Sequence, residues 1–241
     1  LAVWGKLGGA GVGFALGGPL GALIGALAGH FVIDSEGGPL KPDPEMIFST
    51  GLVALAAKMA KADGVVTHDE ALAFRRVVEV APEDVERVTR LFDLAKRTSL
   101  GFEAYAEQLA ELLDDRPDLL EDVLDGLFEI ARADHAIHEA ELRYFRQVGQ
   151  IFGFDERRLD SIEARHVVRK DDPYRILGLD RSASDDEIRA RRRRLIAEHH
   201  PDRHIAAGLP PEAIRIATDR LAAINAAWEK IVEERRFDRS S

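Results

Sequence analysis

The sequence predicts an all-α chain. Aromatic residues make up only 7% of it while Ala, Leu, Glu and Arg abound, apolar residues recur at helical spacing, and no segment alternates convincingly as a strand. At 241 residues and 46% hydrophobic, the chain can form one or two domains with packed cores. It has no cysteine, which excludes a disulfide framework, a Cys-ligated zinc site, an iron–sulfur cluster and a cysteine nucleophile. The formal charge of −10 is unevenly spread: residues 1–33 carry Lys6 as their only Lys, Arg, Asp or Glu, residues 34–166 carry 16 basic against 29 acidic groups, and residues 167–241 carry 16 against 14. Three segments with different physics follow one another.

The first segment, residues 1–33, reads as a glycine-rich transmembrane helix. Leu7 to Ile33 is a run of 27 residues without Lys, Arg, Asp or Glu. As a helix it would reach roughly 40 Å, against a hydrocarbon core of roughly 30 Å. Gly5, Gly9, Gly13, Gly17, Gly21, Gly25 and Gly29 recur at every fourth position. In water such a row costs roughly 1 kcal/mol per glycine relative to Ala, whereas in a membrane it makes a ridge on which a second helix can pack closely. The expectation is a homodimer through Gly9, Gly13, Gly17, Gly21 and Gly25. Two other readings stay open: a signal peptide ending near Ala26-Leu27-Ala28, and a helical hairpin broken at Gly17-Gly18-Pro19. The flanking charges do not orient the segment.

Residues 34–45, with Pro39, Pro42 and Pro44, read as a linker. From Met46 the pattern is helical, with Met46–Lys61 apolar along one face, then Thr67–Val80, Glu83–Arg97, Phe102–Asp114, Asp118–Ala133, Glu139–Phe152 and Asp155–His166. An internal repeat with a constant offset of 71 aligns Ala62-Asp63 with Ala133-Asp134, Glu70 with Glu141, Phe74 with Phe145, Arg75 with Arg146 and Val77 with Val148. Each copy is a helix, an Asp-led turn with one buried aliphatic, and a helix with an inward Phe. Asp63, Glu70, Asp134 and Glu141 could gather oxygens around a divalent cation. Local capping explains them better, since Thr67 with Glu70 fits a capping box, and no metal or other cofactor is expected. In the second copy His138 takes the cap position. The acidic surface reads as a solvated face or a partner-binding surface. This duplicated helix pair resembles the tellurite-resistance TerB-like fold over residues 46–166.

A connector at 167–171 leads to Asp172-Pro173, an N-cap with proline at the first helical position. Ser184 and Glu187 form a capping box that opens a helix to His199, which His200-Pro201-Asp202 breaks. After Gly208 and Pro210-Pro211, a third helix runs from Glu212 to Val232 and should pair antiparallel with the second.

The order Asp172-Pro173-Tyr174-Arg175-Ile176-Leu177-Gly178-Leu179, Asp186-Glu187-Ile188-Arg189, Leu195, His199-His200-Pro201-Asp202-Arg203 and Ile224-Asn225-Ala226-Ala227-Trp228 resembles a J domain, over residues 172–237. The loop Ala206–Glu212 resembles that of membrane-anchored DnaJ-like proteins of the DjlA type, which are built as a membrane segment, a TerB-like domain and a J domain in this order.

That resemblance implies a co-chaperone that does no chemistry of its own. It would bind a DnaK-type Hsp70 through His200, Pro201 and Asp202 and stimulate its ATPase, with Arg189, Arg193 and Arg194 meeting an acidic Hsp70 surface. It also implies a bacterial inner-membrane protein, single-pass, with both domains in the cytoplasm. One departure is Arg191-Arg192 where J domains usually place Ala-Tyr. Four successive arginines span about 300° of a helix, so one must lie near the seam with the third helix with its stem on apolar surface. Nucleic acid is not an expected partner, because Asp185, Asp186, Glu187 and Glu198 share that helix and no aromatic residues interleave. The competing reading is a membrane-tethered TerB-like stress-response or metal-binding scaffold whose J domain only docks.

Overall fold

The computed structural model describes residues 17–28, 44–62, 85–97, 101–132, 137–167 and 172–238. These are helical, and no strand occurs among them. The helices are α1 (Gly18–Ala28), α2 (Pro44–Ala62), α3 (Val85–Arg97), α4 (Phe102–Leu112), α5 (Pro117–Arg132), α6 (Glu139–Ile151), α7 (Glu156–His166), α8 (Pro173–Ile176), α9 (Asp185–Glu198), α10 (Pro201–Ala206) and α11 (Pro211–Asp238). Several starts follow from local chemistry. Asp155 accepts the Arg158 amide at 2.7 Å to open α7, Asp172 accepts the Tyr174 amide at 3.2 Å to open α8, and Ser184 and Glu187 cap α9 reciprocally.

The first seven helices share one apolar core. Its axis is α2, buried from Glu45 to Ala60 rather than along one face, because α1, α3, α4 and α5 all pack on it. The expectation of a one-sided helix at Met46–Lys61 is corrected accordingly. Phe145 of α6 points inward against Phe128, with ring centroids 4.1 Å apart, as the repeat implied for its second copy. The neighbouring Tyr144 hydroxyl donates to the Leu55 carbonyl at 2.8 Å, and burial pushes its pKa well up. The helix expected at Thr67–Val80 lies outside the described residues.

At the N-terminus, Gly17 and Gly18 both have positive φ (+55° and +57°), a conformation that favours glycine, and α1 starts there. Gln108 of α4 bridges this start, accepting the Leu20 amide and donating to the Gly17 carbonyl, each at 2.8 Å. Leu20, Gly21 and Leu23 are buried against the bundle. One continuous glycine ridge through Gly17 and Gly21 is therefore corrected: the regular helix does not run through Gly17, and Gly21 is already covered. Gly9 and Gly13 lie outside the described residues, as does the side-chain environment of Gly25. Among the described residues, no helix is long and apolar enough to cross a membrane.

Helices α8, α9 and α11 build a second, smaller core from Tyr174, Leu177, Ile188, Leu195, Ile224, Ala227 and Ile231. Helix α11 belongs to both cores. Its first turns contribute Ala213 and Ile216 to the bundle, together with Leu209 before it, and its later turns contribute Ile224, Ala227 and Ile231 to the hairpin. The third helix is thus longer than Glu212–Val232, and a short helix, α10, follows the His-Pro-Asp break that the sequence read as a loop.

The start of α11 joins the bundle core where α5 has no side chain. A Cβ on Gly126 would stand 3.1 Å from Leu52 and 3.2 Å from Ile216, so α2, α5 and α11 approach this closely only over glycine. Gly126→Val should wedge them apart and lower unfolding free energy by about 1–3 kcal/mol in urea titration. A variant as stable as the parent would show that the seam is loosely packed.

Candidate functional site

The His-Pro-Asp loop projects from the junction of α9 and α10. Helix α9 must end at Glu198, since Pro201 disfavours helical geometry in the residue before it, and the same proline then opens α10 at its first position. His200 is the N-cap of α10, its Nδ1 accepting the Asp202 amide at 3.3 Å. The side chains of His200 and Asp202 remain 44% and 80% exposed, the latter with its carboxylate open to a partner. Arg203 closes the end of α9 by donating to the carbonyls of Ala197 and Glu198 at 3.4 and 3.1 Å. Ile205, on the same short helix, is the one exposed large hydrophobic residue among the described residues.

The arginines of α9 separate by face. Arg189 points away from the bundle and pairs with Asp186 at 2.9 Å, while Arg193 and Arg194 are exposed without an ion pair among the described residues. Arg192 is the seam residue: its guanidinium lies over the Trp228 ring of α11 at 5.2 Å and donates to Asn225 at 3.1 Å. Arg191 turns the other way and donates to the Leu177 carbonyl at 2.9 Å. Of the four candidate metal ligands, Glu141 alone is described, and its carboxylate accepts the His138 amide at 2.8 Å, the capping role. Asp63, Glu70 and Asp134 lie outside the described residues.

What sequence reasoning missed stands on either side of the loop. His199 and His204 flank it and are both buried, whereas His200 and Asp202 face out. His204 Nε2 bonds Asp122 of α5. Arg220 of α11 joins the set, with Asp122 at 2.6 Å, Asp125 at 2.7 Å and Nδ1 of His199 at 2.9 Å. From α7, Arg165 reaches Glu121 at 2.8 Å and Asp125 at 3.0 Å, and His166 reaches Asp125 at 2.7 Å. Part of the acidic surface read as a solvated or partner-binding face is therefore a docking face for the chain's own C-terminal domain. A signal existed: Asp118, Glu121, Asp122, Asp125 and Glu129 fall on one face of α5, and Arg220 interrupts the apolar stripe of α11.

Electrostatics of this seam follow from burial set against opposite charge. Burial opposes ionisation of Glu121 and Asp125, but Arg220 and Arg165 hold both carboxyls below their usual range. Burial likewise opposes the charge on Arg220, and Asp122, Asp125 and Glu121 keep its pKa above the ordinary value. His199 has the opposite fate. Burial pushes it down to about 4, with Glu121 opposing, and a neutral ring is what its Nδ1 needs to accept from Arg220.

Residues 172–236 match the family model described as DnaJ domain, residues 49–164 match Tellurite resistance protein TerB, and residues 1–40 match Co-chaperone DjlA transmembrane domain. The chain is 31% identical to the Co-chaperone protein DjlA of Coxiella burnetii, covering 94% of this chain and 96% of that one. It is 28% identical to the protein of the same name from Photobacterium profundum, over 98% and 100% of the two chains, and 25% identical to that of Legionella pneumophila, over 95% of each. No solved structure matches.

Asp122→Ala would leave Arg220 and His204 short of a buried acceptor and should cost about 3–5 kcal/mol in chemical denaturation. The penalty should shrink when Arg220→Met accompanies it, because the stranded charge is then removed as well. An additive penalty in the double variant would refute the coupling. His199 gives a pH signature. Its folded pKa of about 4 lies below the unfolded value of about 6.5, so its contribution is complete above pH 6.5 and is lost as pH falls towards 4. Within that window stability should drop by up to about 1.4 kcal/mol per pH unit on its account, and His199→Asn should remove this part of the slope.

Proposed function

The chain belongs to the DjlA family of co-chaperones, and on that premise we propose that it binds a DnaK-type Hsp70 through the His-Pro-Asp loop and stimulates its ATPase. The observation that carries this reading is the exposure of Asp202, 80% open at a proline-fixed turn flanked by the buried, inward-bonded His199 and His204. A carboxylate so placed is preorganised for an arginine of a partner. Arg189, Arg193 and Arg194 supply positive charge on the adjoining helix, which speeds and orients encounter with an acidic surface more than it deepens affinity. The chain would act on its partner's ATPase without a reaction of its own, a reading supported by relatives that are named as co-chaperones.

Residues 1–40 would anchor the protein in the bacterial inner membrane, supported by their match to the DjlA transmembrane domain. Both domains then stand in the cytoplasm, because the Hsp70 they serve is there. Self-association through the anchor would draw on Gly9, Gly13 and Gly25, since Gly17 and Gly21 are engaged with α4 and the bundle. The domain limits proposed are 1–33 for the anchor, 46–166 for the TerB-like domain and 172–237 for the J domain.

Asp202→Asn removes the charge and keeps the shape. In a DnaK ATPase assay with the full chain in detergent it should lose about 2 kcal/mol or more of coupling, roughly a 30-fold weaker response. A variant that stimulates as well as the parent, or a parent that does not stimulate, would favour the docking-only scaffold.

A further inference from the structure

We infer that the uncharged tip of the J domain, from Ile205 to Gly208, packs on an apolar surface of the same Hsp70 partner, beside the group that receives Asp202. This rests on the co-chaperone reading and gives a role to the loop Ala206–Glu212, which neither the His-Pro-Asp turn nor the arginines of α9 involve. From Ile205 to Pro211 the chain carries no charged residue. Ile205 is 59% exposed where every other large hydrophobic side chain among the described residues is at least partly covered, and Ala206, Ala207 and Gly208 are exposed with it. Four consecutive residues thus form one uncharged patch, unlike a lone apolar side chain, which needs no partner.

The patch is held outward by what lies on either side of it. His204 takes the inward position of α10 through its bond to Asp122, and Leu209 and Pro210 are buried beyond the tip. Between them the backbone closes on itself. The Ala207 amide donates to the Arg203 carbonyl and the Gly208 amide to the Ile205 carbonyl, each at 3.1 Å, and the Leu209 amide to the His204 carbonyl at 3.0 Å. Gly208 completes the turn at a φ of +68°, and a Cβ there would meet nothing within 4 Å. Ile205 cannot turn inward while His204 keeps its bond, so only a second molecule can cover it.

Asp202 and Ile205 are three positions apart on α10, which makes their side chains neighbours on its outer face. A partner that comes close enough to pair with Asp202 therefore lies against Ile205 as well. Apolar contact around a charged pair excludes water and strengthens the pair. The tip is already ordered, so covering it costs little conformational entropy. The occupant that fits is an apolar patch on the folded Hsp70, next to the basic group that meets Asp202.

The test is DnaK ATPase stimulation by the full chain in lipid nanodiscs, where no free detergent competes for an apolar patch, titrated at low and at high salt. Ile205→Ser changes an exposed position, so its unfolding midpoint in urea should match the parent's. It should raise the concentration for half-maximal stimulation about 5- to 10-fold, with the maximum kept. Because the contact is apolar, that difference should persist at high salt, whereas the effect of Arg194→Glu should shrink there. Ile205→Leu, which keeps the apolar area, should behave as the parent. If Ile205→Ser titrates as the parent, the tip belongs to another occupant, a client or the bilayer, and the inference is overturned. It is overturned equally if the effect vanishes at high salt or if only the maximum falls. In each of these cases the co-chaperone reading stands as long as the parent stimulates and Asp202→Asn does not. A parent chain that gives no stimulation overturns both.

Discussion

Arg220 is a cation 3% exposed at the point where one helix passes from the bundle into the hairpin. Its charge is out of water, so it requires carboxylates, and these come from α5: Asp122 and Asp125 at 2.6 and 2.7 Å, with Glu121 at 3.6 Å. Taking these groups from water costs much of what their attraction returns, and the seam is therefore better regarded as a device for register than as a source of stability. It allows one relative placement of the two domains. Any slip would strand a buried charge.

The loop inherits that placement. His199 and His204 stand on either side of His200-Pro201-Asp202, and each is tied to the seam, one through Arg220 and the other through Asp122. Pro201 fixes the turn locally while the two histidines fix it to the bundle. The exposed carboxylate of Asp202 therefore has a defined position relative to the TerB-like domain and to whatever anchors that domain. A J domain on a flexible tether would be free to reorient, whereas here α11 contributes to both cores.

Some expectations failed for physical reasons that local pattern does not contain. The glycine row has a perfect period of four, but a period describes spacing and not backbone conformation. Gly17 and Gly18 take left-handed dihedrals, and Gln108, almost a hundred positions away, satisfies the helix start that results. Helix α2 carries Glu45, Ser49, Thr50 and Lys58 among its apolar residues. These residues are buried, and Ser49 donates to Glu212 of the other domain at 3.0 Å. The departure at Arg191-Arg192 was legible as a constraint, that one arginine must meet the third helix. Only the structure assigns Arg192 to that role and turns Arg191 to the Leu177 carbonyl.

By itself the sequence determined the all-α class, most helix limits, the capping of α8 and α9, and the family to which the His-Pro-Asp motif points. Each of these depends on residues within a few positions of one another, where propensity, caps and prolines act. It could not determine that the acidic middle and the basic end are each other's partners. Charges on α5 and α11 are separated by 95 residues, and nothing short-range distinguishes a carboxylate destined for water from one destined for Arg220. Tertiary packing made that distinction by burying Asp122 and Asp125 completely enough that only an opposite charge could accompany them. The same step turned two neighbouring histidines into anchors and left His200 and Asp202 facing out.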